Sequence, residues 1–120
     1  MKRRAALLAT LLLAPPWTAR AHSELRRSDP PDGAVLAAPP AELRLVFNEA
    51  VQVTLFRLLD PTGQPAALRR EGDAATARRE HAARPAAPPA PGAWQVEWRA
   101  ISADGHPIRG TVAFRVEAPR

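Results

Sequence analysis

Ser102-Ala103-Asp104-Gly105-His106 sets a carboxylate and an imidazole two residues apart on a turn between two apolar runs. Asp-Gly is first of all a turn signal, so alone the stretch predicts a plain turn with an exposed histidine. Taken with the start of the chain, it gains a second meaning. Cleavage expected after Ala21 makes His22 the first residue of the processed protein, with a free α-amine. That amine and the ring Nδ1 of the same residue can close a chelate on one metal ion, so the second bond costs little further entropy. His22 alone would be a frayed terminus. With the His106 imidazole and an Asp104 oxygen it completes a set of three nitrogens and one oxygen. Such a set in a tetragonal plane suits copper(II), the ion at the top of the affinity order for divalent first-row metals. The expectation is one copper(II) per chain, held by His22, Asp104 and His106. Pro107 biases His106 toward extended backbone, and Gly105 permits the sharp approach that turns both side chains to one ion.

The expected cleavage rests on a secretory signal over residues 1–21. Lys2, Arg3 and Arg4 precede an apolar run from Ala5 to Ala14, and Ala19-Arg20-Ala21 has the small residues a signal peptidase reads. The apolar run is far below the roughly 20 residues a spanning helix needs, so no membrane span is expected after processing. The chain has 17 basic and 12 acidic residues, a net charge of +5. The signal holds four of the basic residues and no acid, which leaves 13 against 12, a net of +1, for residues 22–120. Nucleic acid is therefore excluded as a partner, since no basic run with interleaved aromatics survives processing. Cysteine is absent, and the one methionine is Met1. A soft, sulfur-ligated copper(I) site cannot be built, and any metal must be held by nitrogen and oxygen.

The segment that has to position these groups is one domain, residues 22–120, of short strands punctuated by turns. Ser23 to Ser28 predicts a first strand, stopped by Asp29-Pro30-Pro31-Asp32-Gly33. Val35 to Ala38 is a short second segment. Leu43, Leu45 and Phe47 alternate with Glu42 and Arg44. Val51 to Leu59 reads as a separate, longer run, with Val53, Leu55, Arg57 and Leu59 on one face and Phe56 and Leu58 on the other. Residues 64–91 are rich in Ala, Pro and Arg. Alanine is the only apolar face a helix there would offer, so weak edge strands and an irregular connection are expected, with His81 as a solvated loop residue rather than an accessory ligand. Glu24 and Glu49 read as surface charges. Trp94, Val96 and Trp98, then Val112, Phe114 and Val116, predict two strands with one buried face each. Together the pattern predicts an all-β, antiparallel β-sandwich.

Several of these residues also match a known family. Leu25, Ser28, Pro30 and Gly33 after an N-terminal His, then Leu43-x-Leu45-x-Phe47-x-Glu49-x-Val51, resemble the opening of the CopC family of periplasmic copper-resistance proteins. Trp98-Arg99-x-x-Ser102-x-Asp104-Gly105-His106, followed by Gly110, Phe114 and Val116, resembles that family's most recognisable stretch. The resemblance implies an immunoglobulin-like Greek-key sandwich of about seven short strands, acting in the periplasm. It implies copper(II) binding by His22, Asp104 and His106, for sequestration or for delivery to a partner such as a CopD-like inner-membrane copper transport protein. Some members carry a methionine-rich loop for copper(I), and this chain has no methionine there.

Two other functions are consistent with parts of the pattern. Amino-terminal histidine chelates also occur in copper-dependent oxidative enzymes, although a second matching His and a broad substrate face are not evident here. A metal-free secreted sandwich acting as an adaptor is the other. No nucleophile motif and no phosphate loop is present, so the chain is expected to be a non-enzymatic, monomeric binding protein.

Overall fold

A computed structural model of the chain describes residues 22–120; the signal segment expected over residues 1–21 lies outside the described residues. The described chain is all strand and turn, and none of it forms a helix long and apolar enough to cross a membrane. Eight strands run in order: β1 (Leu25–Asp29), β2 (Ala34–Leu36), β3 (Leu43–Leu59), β4 (Pro65–Ala66), β5 (Leu68–Arg70), β6 (Arg78–Pro85), β7 (Gly92–Ile101) and β8 (Pro107–Val116). They make one curled sheet folded into two layers. The first layer is β1, the front half of β3, β6 and β5, and the second is β4, the back half of β3, β7, β8 and β2. All pairings are antiparallel except β2 with β8.

The two runs expected on either side of residues 48–50 are one strand of 17 residues. No glycine or proline stands between Phe47 and Val51 to end it, so the backbone stays extended and steps from one layer to the other. Its pairing with β6 slips between Val46 and Val51, where it crosses. A second irregularity, between Val53 and Leu55, breaks the expected face of Val53, Leu55, Arg57 and Leu59. A bulge places two residues against one and reverses the alternation beyond it. Val53 is therefore buried with Phe56 and Leu58, while Arg57 faces outward.

The core is the inner face of both layers. Leu43, Leu45 and Phe47 of β3 meet Trp94, Val96 and Trp98 of β7 and Val112, Phe114 and Val116 of β8, as their alternation predicted. Phe47 sits edge-on to Trp98, with ring centroids 5.1 Å apart. Gly110, opposite Trp98 in the ladder, lies under the indole: a Cβ there would come within 2.7 Å of the ring.

Residues 64–91 are more ordered than expected. β5 is an edge strand, but β6 has eight residues and pairs on both sides, with β3 and β5. His81 on β6 is therefore not a solvated loop residue; it is buried. Its Nε2 lies 2.9 Å from the Val51 carbonyl and 3.1 Å from that of Arg78, so Nε2 carries the proton and donates. Nδ1 is left as the acceptor facing the Arg70 guanidinium at 3.4 Å. Both ring nitrogens are thus engaged inside the protein, which removes His81 as an accessory metal ligand. Sequence reasoning missed this because Ala82 and Ala83 give little apolar signal, yet both are buried where β6 pairs with β3 and β5.

Burial holds the His81 pKa below the ordinary imidazole value; the nearby Arg70 and Arg78 charges push the same way, against the two carbonyls that accept from the ring. The unfolded chain therefore takes up this proton before the folded one does. The resulting stability is complete above about pH 6.5 and is lost as pH falls from there toward the folded value. The urea midpoint is expected to drop between pH 7.5 and pH 5.5. In His81→Gln, whose amide can still donate to Val51 but does not titrate, most of that drop should disappear; an unchanged slope would overturn the assignment.

Candidate metal centre

Ile101 pairs with Pro107 at the end of the β7–β8 ladder, and the chain turns over Ser102–His106. The Ser102 amide donates to the His106 carbonyl at 2.8 Å, and the Gly105 amide to the Ser102 carbonyl at 2.9 Å. Gly105 has φ of +89°, so this is a three-residue hairpin loop closed by a residue in the left-handed region. A Cβ at Gly105 would meet nothing; the glycine is required by backbone conformation and not by space.

The loop brings Asp104 and His106 together. His106 Nδ1 lies 3.0 Å from Asp104 Oδ2, with both side chains largely exposed. The Ser102 hydroxyl donates to Asp104 Oδ1 and accepts from the His106 amide at 3.0 Å. These contacts, first the Ser102 hydroxyl and then His106, lower the Asp104 pKa to about 2. Asp104 is therefore an anion across the whole physiological range. The carboxylate stands between serine and imidazole. A serine nucleophile would need the imidazole in the middle as its base, so this is no hydrolytic triad.

A second set of contacts brings the His22 segment to the same end of the sandwich. The Asn48 side chain grips it twice, donating from Nδ2 to the His22 carbonyl and accepting from the Glu24 amide, both at 2.8 Å. The buried Ser23 hydroxyl donates to Glu49 and accepts from the Ala103 amide at 3.3 Å. His22 and Asp104 are each the chain neighbour of a residue in that last bond, one virtual bond of about 3.8 Å away. In the unprocessed chain, however, the His22 nitrogen is a peptide amide. Among the described residues no three of His, Asp and Glu converge on one metal position. The structure thus pairs Asp104 with His106 and holds the His22 segment beside them, without gathering all three side chains.

Ser23, Asn48, Glu49 and Ser102 are supporting residues to which sequence reasoning assigned no role in holding the site. Glu49 is half-buried and hydrogen-bonded to Ser23, so it is more than the surface charge expected; Glu24 is exposed, as expected. The signal available was Asn48-Glu49 itself, two polar residues in succession where the apolar alternation of β3 breaks.

A two-layered β-sandwich with an acid–imidazole hairpin at one end defines the class of protein. The comparisons then supply the family: the CopC domain model matches residues 25–117, and the chain belongs to that family. It is 37% identical over 111 residues to copper resistance protein C of Pseudomonas syringae pv. tomato, covering 82% of this chain and 83% of that one. To copper resistance protein C of Escherichia coli it is 30% identical over 122 residues, covering 95% and 96%. Among solved structures, CopC from Methylosinus trichosporium OB3b matches with a TM-score of 0.68 at 29% identity, covering 80% of this chain and 94% of that chain. PcoC, a methionine-rich copper resistance protein from Escherichia coli, matches with a TM-score of 0.66 at 30% identity, covering 81% and 100%.

Proposed function

We propose that the processed chain, beginning at His22 in the periplasm, binds one copper(II) ion and serves copper resistance by sequestering the ion or passing it to a partner. The observation that carries this reading is the Asp104–His106 pair at 3.0 Å, with the His22 segment hydrogen-bonded to the same loop. The donors fit the ion. Asp104 supplies an oxygen that stays anionic down to about pH 2, and with no cysteine and no methionine after Met1 the remaining donors are nitrogen or oxygen. His106 Nδ1 stands 3.0 Å from Asp104 Oδ2, so a shared ion would replace this direct contact and take one donor from each side chain. His22 would contribute its amine and ring. Copper is the cargo, and the reading is of a non-enzymatic binding protein, in keeping with the copper resistance proteins this chain resembles. A CopD-like membrane protein is the receiver it would suit.

Titration of the processed protein with copper(II) is expected to give a 1:1 complex with a nitrogen-rich tetragonal EPR signal. His106→Ala should weaken binding about a hundredfold or more, and Asp104→Asn by about tenfold. Neither should alter the melting temperature appreciably, since both side chains are exposed. Copper affinity unchanged in both variants would sink the site. Copper-dependent oxidation of a polysaccharide with added reductant would instead establish the enzyme reading.

A further inference from the structure

Several outer-face arginines are paired with acids. On the first layer Arg44 reaches both Glu42 and Glu80, each at 2.8 Å, and Arg84 reaches Glu71 at 3.4 Å and Glu42 at 3.8 Å. On the second layer Arg57 pairs with Glu97. Arg99 and Arg109, one step nearer the Ser102–His106 hairpin, stand directly opposite each other across β7 and β8. Both are exposed, and among the described residues neither has a carboxylate within ion-pair reach. Like charges facing each other across a strand pair repel. Glu97, two residues before Arg99 on β7, is held by Arg57 at 2.6 Å.

The surroundings fit an extended acidic occupant. Shallow clefts flank the pair, one of about 390 Å³ toward Ile101 and Pro107 and one of about 320 Å³ toward Gly110, Thr111 and the Arg57-paired Glu97, and both arginines line each of them. Guanidinium forks bind carboxylates bidentately. A lipid surface is the poorer match. Residues 22–120 contain no lysine, and Trp94, Trp98, Phe47, Phe56 and Phe114 are all buried, so no aromatic is left on the face to anchor in a headgroup layer.

We propose that the Arg99–Arg109 face is a docking surface for an acidic segment of a partner protein, which seats its carboxylates on the two guanidiniums beside the hairpin. No proposed copper ligand belongs to this face, so the inference stands or falls independently of the copper site. The test uses the metal-free protein expressed with its own leader and labelled on its arginine side chains, titrated with a capped peptide of alternating Glu and Thr. Saturable shifts are expected at the Arg99 and Arg109 Nε–H resonances. Binding should weaken about tenfold in R99Q/R109Q and stay within about twofold in R26Q/R27Q, a charge-matched change on β1. Melting curves establish that both variants fold. Equal weakening in the two variants, or no saturable shift, would overturn the proposal. Shifts at these side chains produced by phosphatidylglycerol vesicles and not by the peptide would overturn it in favour of a membrane.

Discussion

Placing one alanine ahead of His22 in the processed protein is expected to lower copper(II) affinity by about a hundredfold or more, with folding unchanged. The addition turns the α-amine into an amide and moves the new amine away from the imidazole, so the chelate on one residue is lost. Nothing in the core is disturbed, because His22 is exposed and its segment is held by the Asn48 side chain and the Ser23 hydroxyl, not by apolar packing. The pH dependence of binding should report the same group. Protons compete with copper for amine and imidazole nitrogens, so affinity falls as pH drops. Asp104 contributes nothing to that slope, since it takes a proton only near pH 2. In the extended protein the amine's share of that slope should vanish. Equal affinity for the two forms by calorimetric titration would remove the amine from the site while leaving Asp104 and His106 open to other partners.

Phe47→Ala is expected to have the largest effect on stability, a loss of about 3–5 kcal/mol. Phe47 is 1% exposed. Its ring meets Trp98 edge-on at 5.1 Å and His81 edge-on at 6.1 Å, so it joins both layers at the point where β3 crosses between them. Truncation leaves a cavity bounded by a rigid indole and a hydrogen-bonded imidazole, neither of which can collapse into it cheaply. Set against the roughly 5–15 kcal/mol that holds a domain of this size together, the loss should lower the melting temperature by roughly 12 °C or more. Phe47→Leu, which retains most of the apolar volume, should cost about half as much or less. A melting temperature within a few degrees of the parent in Phe47→Ala would show that this junction is not where the layers are held.

The strands that carry the core were legible wherever large apolar residues alternate. Leu43-x-Leu45-x-Phe47, Trp94-x-Val96-x-Trp98 and Val112-x-Phe114-x-Val116 each state a buried face without reference to any other part of the chain. β6 was not legible, because Ala82 and Ala83 are buried by the strands on either side rather than by their own bulk. The reversal after Val53 was hidden for a related reason. A bulge inserts one residue without a marker, and only the pairing with β7 reveals which face follows it. Of the proposed site, Asp104-Gly105-His106 could be found by residue type and spacing, while Ser23, Asn48 and Glu49 acquire their roles only through bonds to residues 24 to 80 positions away.

Sequence alone limited the donors open to a metal: nitrogen and oxygen without sulfur, a glycine where the hairpin needs a left-handed residue, and a histidine just after the expected cleavage point. These are properties of residue type and local backbone preference, which do not depend on where the rest of the chain lies. Tertiary structure decided what is near what. It joined two stretches of one chain into a single strand crossing both layers, buried His81 away from any metal, and hung the His22 segment on the loop that carries Asp104. Such outcomes follow from pairing and packing between residues far apart in the chain, and local sequence carries no record of them.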